Sequence, residues 1–378
     1  MTAGTGEQAK PTWFQRFILP GLAFKAVVIG GGYATGRELA EFFLPSGPIG
    51  GVLGMLLAMV VWSVVCALTF MFAQATAAFD YRSFFQRLLG PAWLVFEAAY
   101  VLFLVLILAV FGAAAGAIVH ALTGWPVAVG TLCLMVAIGA VTAFGNRSVE
   151  SVFKWVSFLL YGVYAVFVVL ALSTFGDRVG QGFAEAKLTG GWALGGLTYA
   201  GYNIIGAVVI LPVARHFVSR RDALVAGLVA GPLAILPALL FFVCMVAWIP
   251  QIGAEALPSD YMLVRLGQPL FHLLFQAMIF AALLESGSGA VHAINERVAV
   301  AWRARNGRAL SHASRFGIAA VLLVGSIVIA NRFGLVALIA NGYRALSWLI
   351  LTVYVLPLVT LGAWWLWRHP PLTSTVFD

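Results

Sequence analysis

The chain has 378 residues, of which 62% are hydrophobic and 10% charged, and its mean hydropathy is +0.99. That composition excludes a water-soluble globular core and points to a polytopic membrane protein. The formal net charge of +8 does not indicate nucleic-acid binding, because the basic residues lie in short loops between apolar runs and most fall on one side.

Residues 1–16 are polar and lack the pattern of a cleaved signal peptide, so they read as a cytoplasmic tail. Apolar runs of membrane-spanning length then recur near 17–44, 49–75, 91–120, 126–145, 148–175, 190–214, 221–249, 268–301, 313–331 and 335–367. That makes ten spans. With the N-terminus in the cytoplasm, the outer segments carry only Arg178, Lys187, Arg265 and Arg332. The inner segments collect Arg16, Arg82, Arg87, Arg147, Arg215, Arg220, Arg221 and the cluster from Arg297 to Arg315. This asymmetry predicts a multi-pass protein of a prokaryotic inner (plasma) membrane with both termini cytoplasmic. Cys66, Cys133 and Cys244 fall inside apolar spans with neither disulfide nor metal spacing. His120, His292 and His312 are scattered, and no catalytic motif appears, so no enzyme is expected.

The first span is interrupted. Gly30-Gly31-Gly32-Tyr33-Ala34-Thr35-Gly36-Arg37-Glu38 packs glycines into the middle of an apolar run, where each costs about 1 kcal/mol relative to alanine in a helix. Charges follow at once, where charge is expensive. The segment reads as half-helices over 17–29 and 36–44 joined by unwound backbone, which survives at membrane depth only when buried in protein or lining a wet cavity. The simpler alternative is a glycine-rich helix packed closely on a neighbour.

The sixth span repeats the pattern at Gly195-Gly196-Leu197-Thr198-Tyr199-Ala200-Gly201-Tyr202-Asn203. The spacing predicts non-helical backbone near 30–35 and near 199–203. Five spans follow the start of each half, and five is odd, so the halves have opposite topology. The expected plan is an all-α 5+5 inverted repeat, with helices 1 and 6 broken. The first repeat covers 17–175, an extracytoplasmic connection covers 176–189, the second repeat covers 190–368 and a cytoplasmic tail covers 369–378. Tyr33, Thr35, Tyr199, Tyr202 and Asn203 are expected to face one cavity between spans one, three, six and eight, with Tyr100 nearby.

In the eighth span, Glu285, Ser288, His292, Asn295 and Glu296 fall on one helical face, flanked by Ser286. A polar stripe on an apolar helix faces the bundle interior or water. For Ser286 and Ser288 the simpler alternative is a bond to the carbonyl one turn back; His292 and the residues after it can simply be solvated. Lys25, before the first break, and Glu285 are the most interior opposite charges. They are expected to meet in the cytoplasmic half as a proton-coupling pair, with snorkelling of Lys25 as the plain alternative.

The motif from Gly30 to Glu38 resembles the Gly-x-Gly-Phe-Ala-Ser-Gly-x-Glu signature of YkvI-like membrane proteins, with Tyr33 for Phe and Thr35 for Ser. The five-plus-five plan is similar to the LeuT fold of the amino acid–polyamine–organocation superfamily. The resemblance implies a secondary transporter whose substrate is surrounded by backbone at Gly30, Gly32 and Gly36 and by side chains from Tyr199 to Asn203. Amides near Gly36 would favour an anionic group. A sodium-type site would join carbonyls near Ile29 and Gly30 to Ser286 or Ser288, although Lys25 would repel the ion, and some relatives replace sodium with a lysine amine. Arg37, beside Glu38, falls where relatives carry an outer-gate arginine. The coupling ion stays open between Na+ and H+, and no other cofactor is implied. The expected partners are a small-molecule substrate and the lipid bilayer. The alternatives are an uncoupled uniporter or channel, or a non-transporting membrane subunit.

Overall fold

A computed structural model describes residues 11–29, 33, 35–144 and 147–369. Gly30, Gly31, Gly32, Ala34 and the outer parts of both tails lie outside the described residues, so the expectations placed on them stand as made.

Every regular element among the described residues is helical. Thr12 opens α1 (Trp13–Phe17) through a capping box with Gln15. Pro20 sits in the first turn of α2 (Leu19–Val28), where its missing N–H costs nothing. Helix α2 stops at Ile29, whose ψ of 67° is not helical. Helix α3 (Arg37–Phe42) starts only after Gly36, at φ +76°. A turn containing Pro45 leads into α4 (Gly47–Thr76). Asp80 caps the amphipathic α5 (Tyr81–Leu89) by accepting from Ser83 N at 2.9 Å. Then come α6 (Trp93–Thr123), α7 (Val127–Phe144) and α8 (Arg147–Ala184).

The second half opens with α9 (Trp192–Asn203), followed by the short α10 (Gly206–Val209) and a 3-10 stretch, Leu211–His216. Helix α11 (Arg220–Val246) begins with a capping box between Ser219 and Asp222. Helix α12 (Pro258–Leu266) is short, and α13 (Pro269–Asn306) and α14 (His312–Ala337) are long. A π-helical turn, Leu338–Tyr343, leads to α15 (Arg344–Ile350). Two further π turns, Leu351–Val355 and Leu358–Gly362, precede α16 (Ala363–Arg368).

Among the described residues, six helical stretches are long and apolar enough to cross a membrane: Arg37–Thr76, Tyr81–Thr123, Leu159–Ala184, Arg220–Val246, Pro269–Arg303 and His312–Arg368. Leu19–Val28 and Val127–Ala143 are shorter apolar helices. Runs that read as separate in the sequence join here. The second half of the first span continues into α4, and the last two runs connect through a kink at Gly334 (φ +72°).

The second interruption lies elsewhere than expected. Tyr199 to Asn203 are helical, and Ile204 N still donates to Ala200 O at 3.0 Å. The ladder tightens just afterwards, where Ala207 N bonds Ile204 O and Val208 N bonds Ile205 O, both at 3.0 Å. The glycines of the motif serve packing instead. A Cβ at Gly196 would stand 2.3 Å from Gly54 O, and one at Gly195 would stand 2.1 Å from Phe42 O. They admit neighbouring backbone rather than unwinding their own.

The helices sort into two packed groups. In one, α11 lies along α4, with α9 and α2 against that pair and α15 against α9. Helices α11 and α4 approach closely at Gly227 and Gly231, where a Cβ would meet Ala67 and Met59 backbone at 2.3 and 2.4 Å. In the other group, α6, α7, α13 and α14 pack on one another, and α8 bridges the groups, lying against both α13 and α11. The cavity lined by α2, α3, α6, α8, α9 and α13 lies between the groups.

Candidate functional site

The cavity measures about 450 Å³, a size suited to a small ligand. Helix α2 contributes Ala26, Val27 and Val28, and Ile29 and Tyr33 follow it. Helix α3 contributes Glu38, and α9 contributes Tyr202 and Asn203. The facing wall comes from Tyr100, Phe103 and Ile107 of α6, Tyr161 of α8, and Glu285, Ser286 and Gly289 of α13. Tyr343 closes it from the last span.

One end is sealed. The Arg37 guanidinium, 5% exposed, donates to Gly253 O at 2.8 Å, Glu255 O at 2.9 Å and Glu41 Oε2 at 2.7 Å. Ser259 N, on α12, donates to Thr35 O at 3.0 Å, so the lid helix is bonded to the interrupted segment itself. Gly36 permits this approach, since a Cβ there would stand 2.6 Å from Phe241 and 3.1 Å from Pro258. The other end is open. Val27 and Val209 line the cavity and are still 37% and 42% exposed.

Beneath the seal sits Glu38, itself only 5% exposed. Tyr202 donates its phenolic hydrogen to Glu38 Oε2. The Tyr202 ring stacks on Tyr343 with centroids 4.4 Å apart. Tyr33 accepts from the Tyr164 hydroxyl at 3.4 Å. A buried carboxylate is tolerated where hydrogen bonds compensate for lost water, and Tyr202 supplies one of them.

Of the residues expected at the site, Tyr33, Glu38, Tyr202, Asn203, Glu285, Ser286 and Tyr100 all line this cavity. Thr35 and Tyr199 are fully buried but stand apart from it. Tyr199 packs edge-on against Phe43, at 4.9 Å, and near Trp62, at 5.5 Å. Side chains on a helix lean toward its N-terminus, and on α9 that direction leads to the sealed end. Asn203 donates to Tyr199 O at 3.1 Å. Ser288 adopts the simpler alternative and donates to Leu284 O at 2.7 Å.

Lys25 and Glu285 do not form an ion pair. The Lys25 ammonium lies 4.1 Å from the centroid of the Tyr161 ring, a cation–π contact. Tyr343 and Tyr161 are cavity residues that the sequence reading did not single out. The signal was available, since each is a polar-tipped ring inside an apolar span. Glu97, one of the intramembrane charges, is held by Arg297 at 3.1 Å, whose guanidinium lies 3.7 Å from the centroids of both Tyr81 and Tyr100.

No family model matches the chain. Over 283 residues it is 23% identical to an uncharacterized membrane protein, YkvI, of Bacillus subtilis (strain 168), an alignment covering 73% of this chain and 80% of the relative. Among solved structures it is similar to MhsT in complex with L-phenylalanine, with a TM-score of 0.60 and 16% identity, covering 93% of this chain and 97% of that one. It is also similar to a Na+-coupled sialic acid symporter (TM-score 0.59, 14% identity, 94% and 82% covered) and to inward-facing Mhp1 (TM-score 0.55, 16% identity, 92% and 79% covered).

The chain is a distant homologue of YkvI with a LeuT-like fold. It is accordingly an all-helical, multi-pass membrane protein, and its neighbours in fold are transporters rather than enzymes. The interrupted first span packs within one helix group and lines the cavity that faces the other.

Proposed function

We propose that this protein is a secondary active transporter that moves a small amino acid or a related organic ion by alternating access. The observation that carries the reading is the cavity at the interrupted first span, sealed at one end by Arg37 and α12 and open at the other beside Val27 and Val209. Such a one-sided cavity at a helix break is what alternating access requires. We read the chain as ten spans in a 5+5 inverted repeat over 17–175 and 190–368, with the N-terminus cytoplasmic. The open end then faces the cytoplasm and Arg37 guards the outside.

Coupling is assigned to protons or sodium. Ser286 on the cavity wall and carbonyls near Ile29 favour sodium, whereas the Lys25 ammonium in the same half opposes a second cation. Proteoliposome uptake of labelled amino acids and amines, with an imposed pH gradient or sodium gradient, tests the reading. Accumulation above equilibrium under either gradient is the expected result, and the effective gradient names the ion. Equilibration without accumulation supports a uniporter. Binding without any flux would replace the transporter reading with that of a non-transporting subunit.

A further inference from the structure

We propose that the cavity selects a compact organic cation, an amine or quaternary ammonium, and that Glu38 is the countercharge it meets. The proposal rests on the reading of this cavity as the transport site and names the class of its cargo.

Three features of the wall support it. Among the described lining residues the charged ones are the acids Glu38 and Glu285; Glu285 already has an interaction partner, which leaves Glu38 as the negative pole of the cavity. Glu38 Oε2 accepts from Tyr202, while Oε1 accepts no hydrogen bond from a described residue, which leaves an acceptor for an N–H or a positively charged methyl group. The walls next to Glu38 are the rings of Tyr33, Tyr202 and Tyr343. Ring faces attract cations, and they do so most strongly where water is excluded.

Among the described residues, the nearby cationic groups are occupied elsewhere. Arg37 is held by two loop carbonyls and Glu41, and Arg297 by Glu97. Lys25 rests on Tyr161, at the open end. The backbone offers an anion little more. Helix α3 is only six residues long with Glu38 in its first turn, and the Arg37 amide already donates to Thr35 Oγ1 at 3.2 Å. Among the described residues the anionic pole expected near Gly36 therefore has no partner, and a carboxylate placed there would face Glu38 at low dielectric, a strongly repulsive arrangement.

Charge-matched ligands test this on the purified wild-type protein by thermal shift and calorimetry. The probes are choline, butylammonium, the uncharged tert-butyl isostere of choline and the corresponding tert-butyl carboxylate. The two cations are expected to raise the Tm and the neutral and anionic probes to leave it unchanged. Glu38→Gln, which keeps an acceptor for Tyr202, is expected to weaken cation binding by about 30-fold or more while retaining its Tm without ligand. Stabilisation by the carboxylate, equal binding of choline and its uncharged isostere, or no response to any cation would each overturn the proposal. A Glu38→Gln protein that folds and binds choline undiminished would also overturn it. Cation binding without flux in proteoliposomes would instead remove the transporter reading and leave the recognition by Glu38 intact. Gradient-driven uptake of an anion would have the opposite meaning.

Discussion

Arg16 grips Asp222 with two hydrogen bonds, from Nε to Oδ2 at 2.8 Å and from Nη2 to Oδ1 at 2.6 Å. Asp222 is 1% exposed. It also accepts from Val218 N, Ser219 N and the Ser219 hydroxyl at 3.0–3.3 Å. One carboxylate thus starts α11 and fastens α1 to it. Asp222→Ala is expected to cost about 1–2 kcal/mol as a broken cap, with loss of the Arg16 contact adding to it. Arg16→Ala spares the cap and should lower the Tm less. Scanning fluorimetry of both purified variants checks this, and equal losses would show that the cap contributes nothing separate.

Gly36→Ala should be poorly tolerated. The φ of +76° disfavours any residue with a Cβ, and that Cβ would meet Phe241 at 2.6 Å. The backbone penalty alone is about 1 kcal/mol, and overpacking adds about 1–3 kcal/mol. A lowered Tm with loosened protease protection of the 251–259 region is the expected outcome. An unchanged Tm would mean that α12 is not tightly seated on the break.

Tyr202→Phe removes the hydrogen bond to Glu38 while keeping the ring stack on Tyr343. A hydrogen bond to a charged group contributes about 1.5–3 kcal/mol. The variant should fold, lose stability on that scale and bind ligand with altered affinity. Calorimetry beside scanning fluorimetry reads both effects, and a silent substitution on both counts would detach Tyr202 from Glu38.

Two glycines should respond in opposite directions. Gly227→Ala would place a Cβ 2.3 Å from Ala67 backbone on α4 and is expected to destabilise by about 1–3 kcal/mol. Gly176→Ala on α8 meets nothing within 4 Å and should be neutral, or stabilising by up to about 1 kcal/mol through helix propensity. Paired Tm measurements decide it.

The membrane class and the end of the first half-helix were legible because they are local signals. Apolar length marks a span, and glycines followed by Arg37 and Glu38 mark a helix that cannot continue. The second break was misplaced because glycine has two uses. At Gly195 and Gly196 it admits Phe42 and Gly54 backbone, a tertiary fact that a single sequence does not display. Tyr33, Tyr202 and Asn203 were found as polar groups in an apolar run. Tyr199 carries the same signal, yet it leans toward the sealed end beside Phe43. Tyr343 was missed although Asn341, Gly342 and Arg344 beside it interrupt the last apolar run, where the structure has a π-helical turn. The Lys25–Glu285 pair failed for want of one rotation angle, since Lys25 turns to the Tyr161 ring.

Arg37 and Glu38 are consecutive in the chain, and they look in opposite directions. One holds the 253–255 turn and the other presents its carboxylate to the cavity. A single peptide unit therefore joins the lock to the keyhole. An engineer who wished to change what the cavity binds while leaving the Arg37 closure untouched would find no seam to cut along. Chimeras made by swapping whole segments will inherit both features or neither, and only point changes at one of the two residues can separate them.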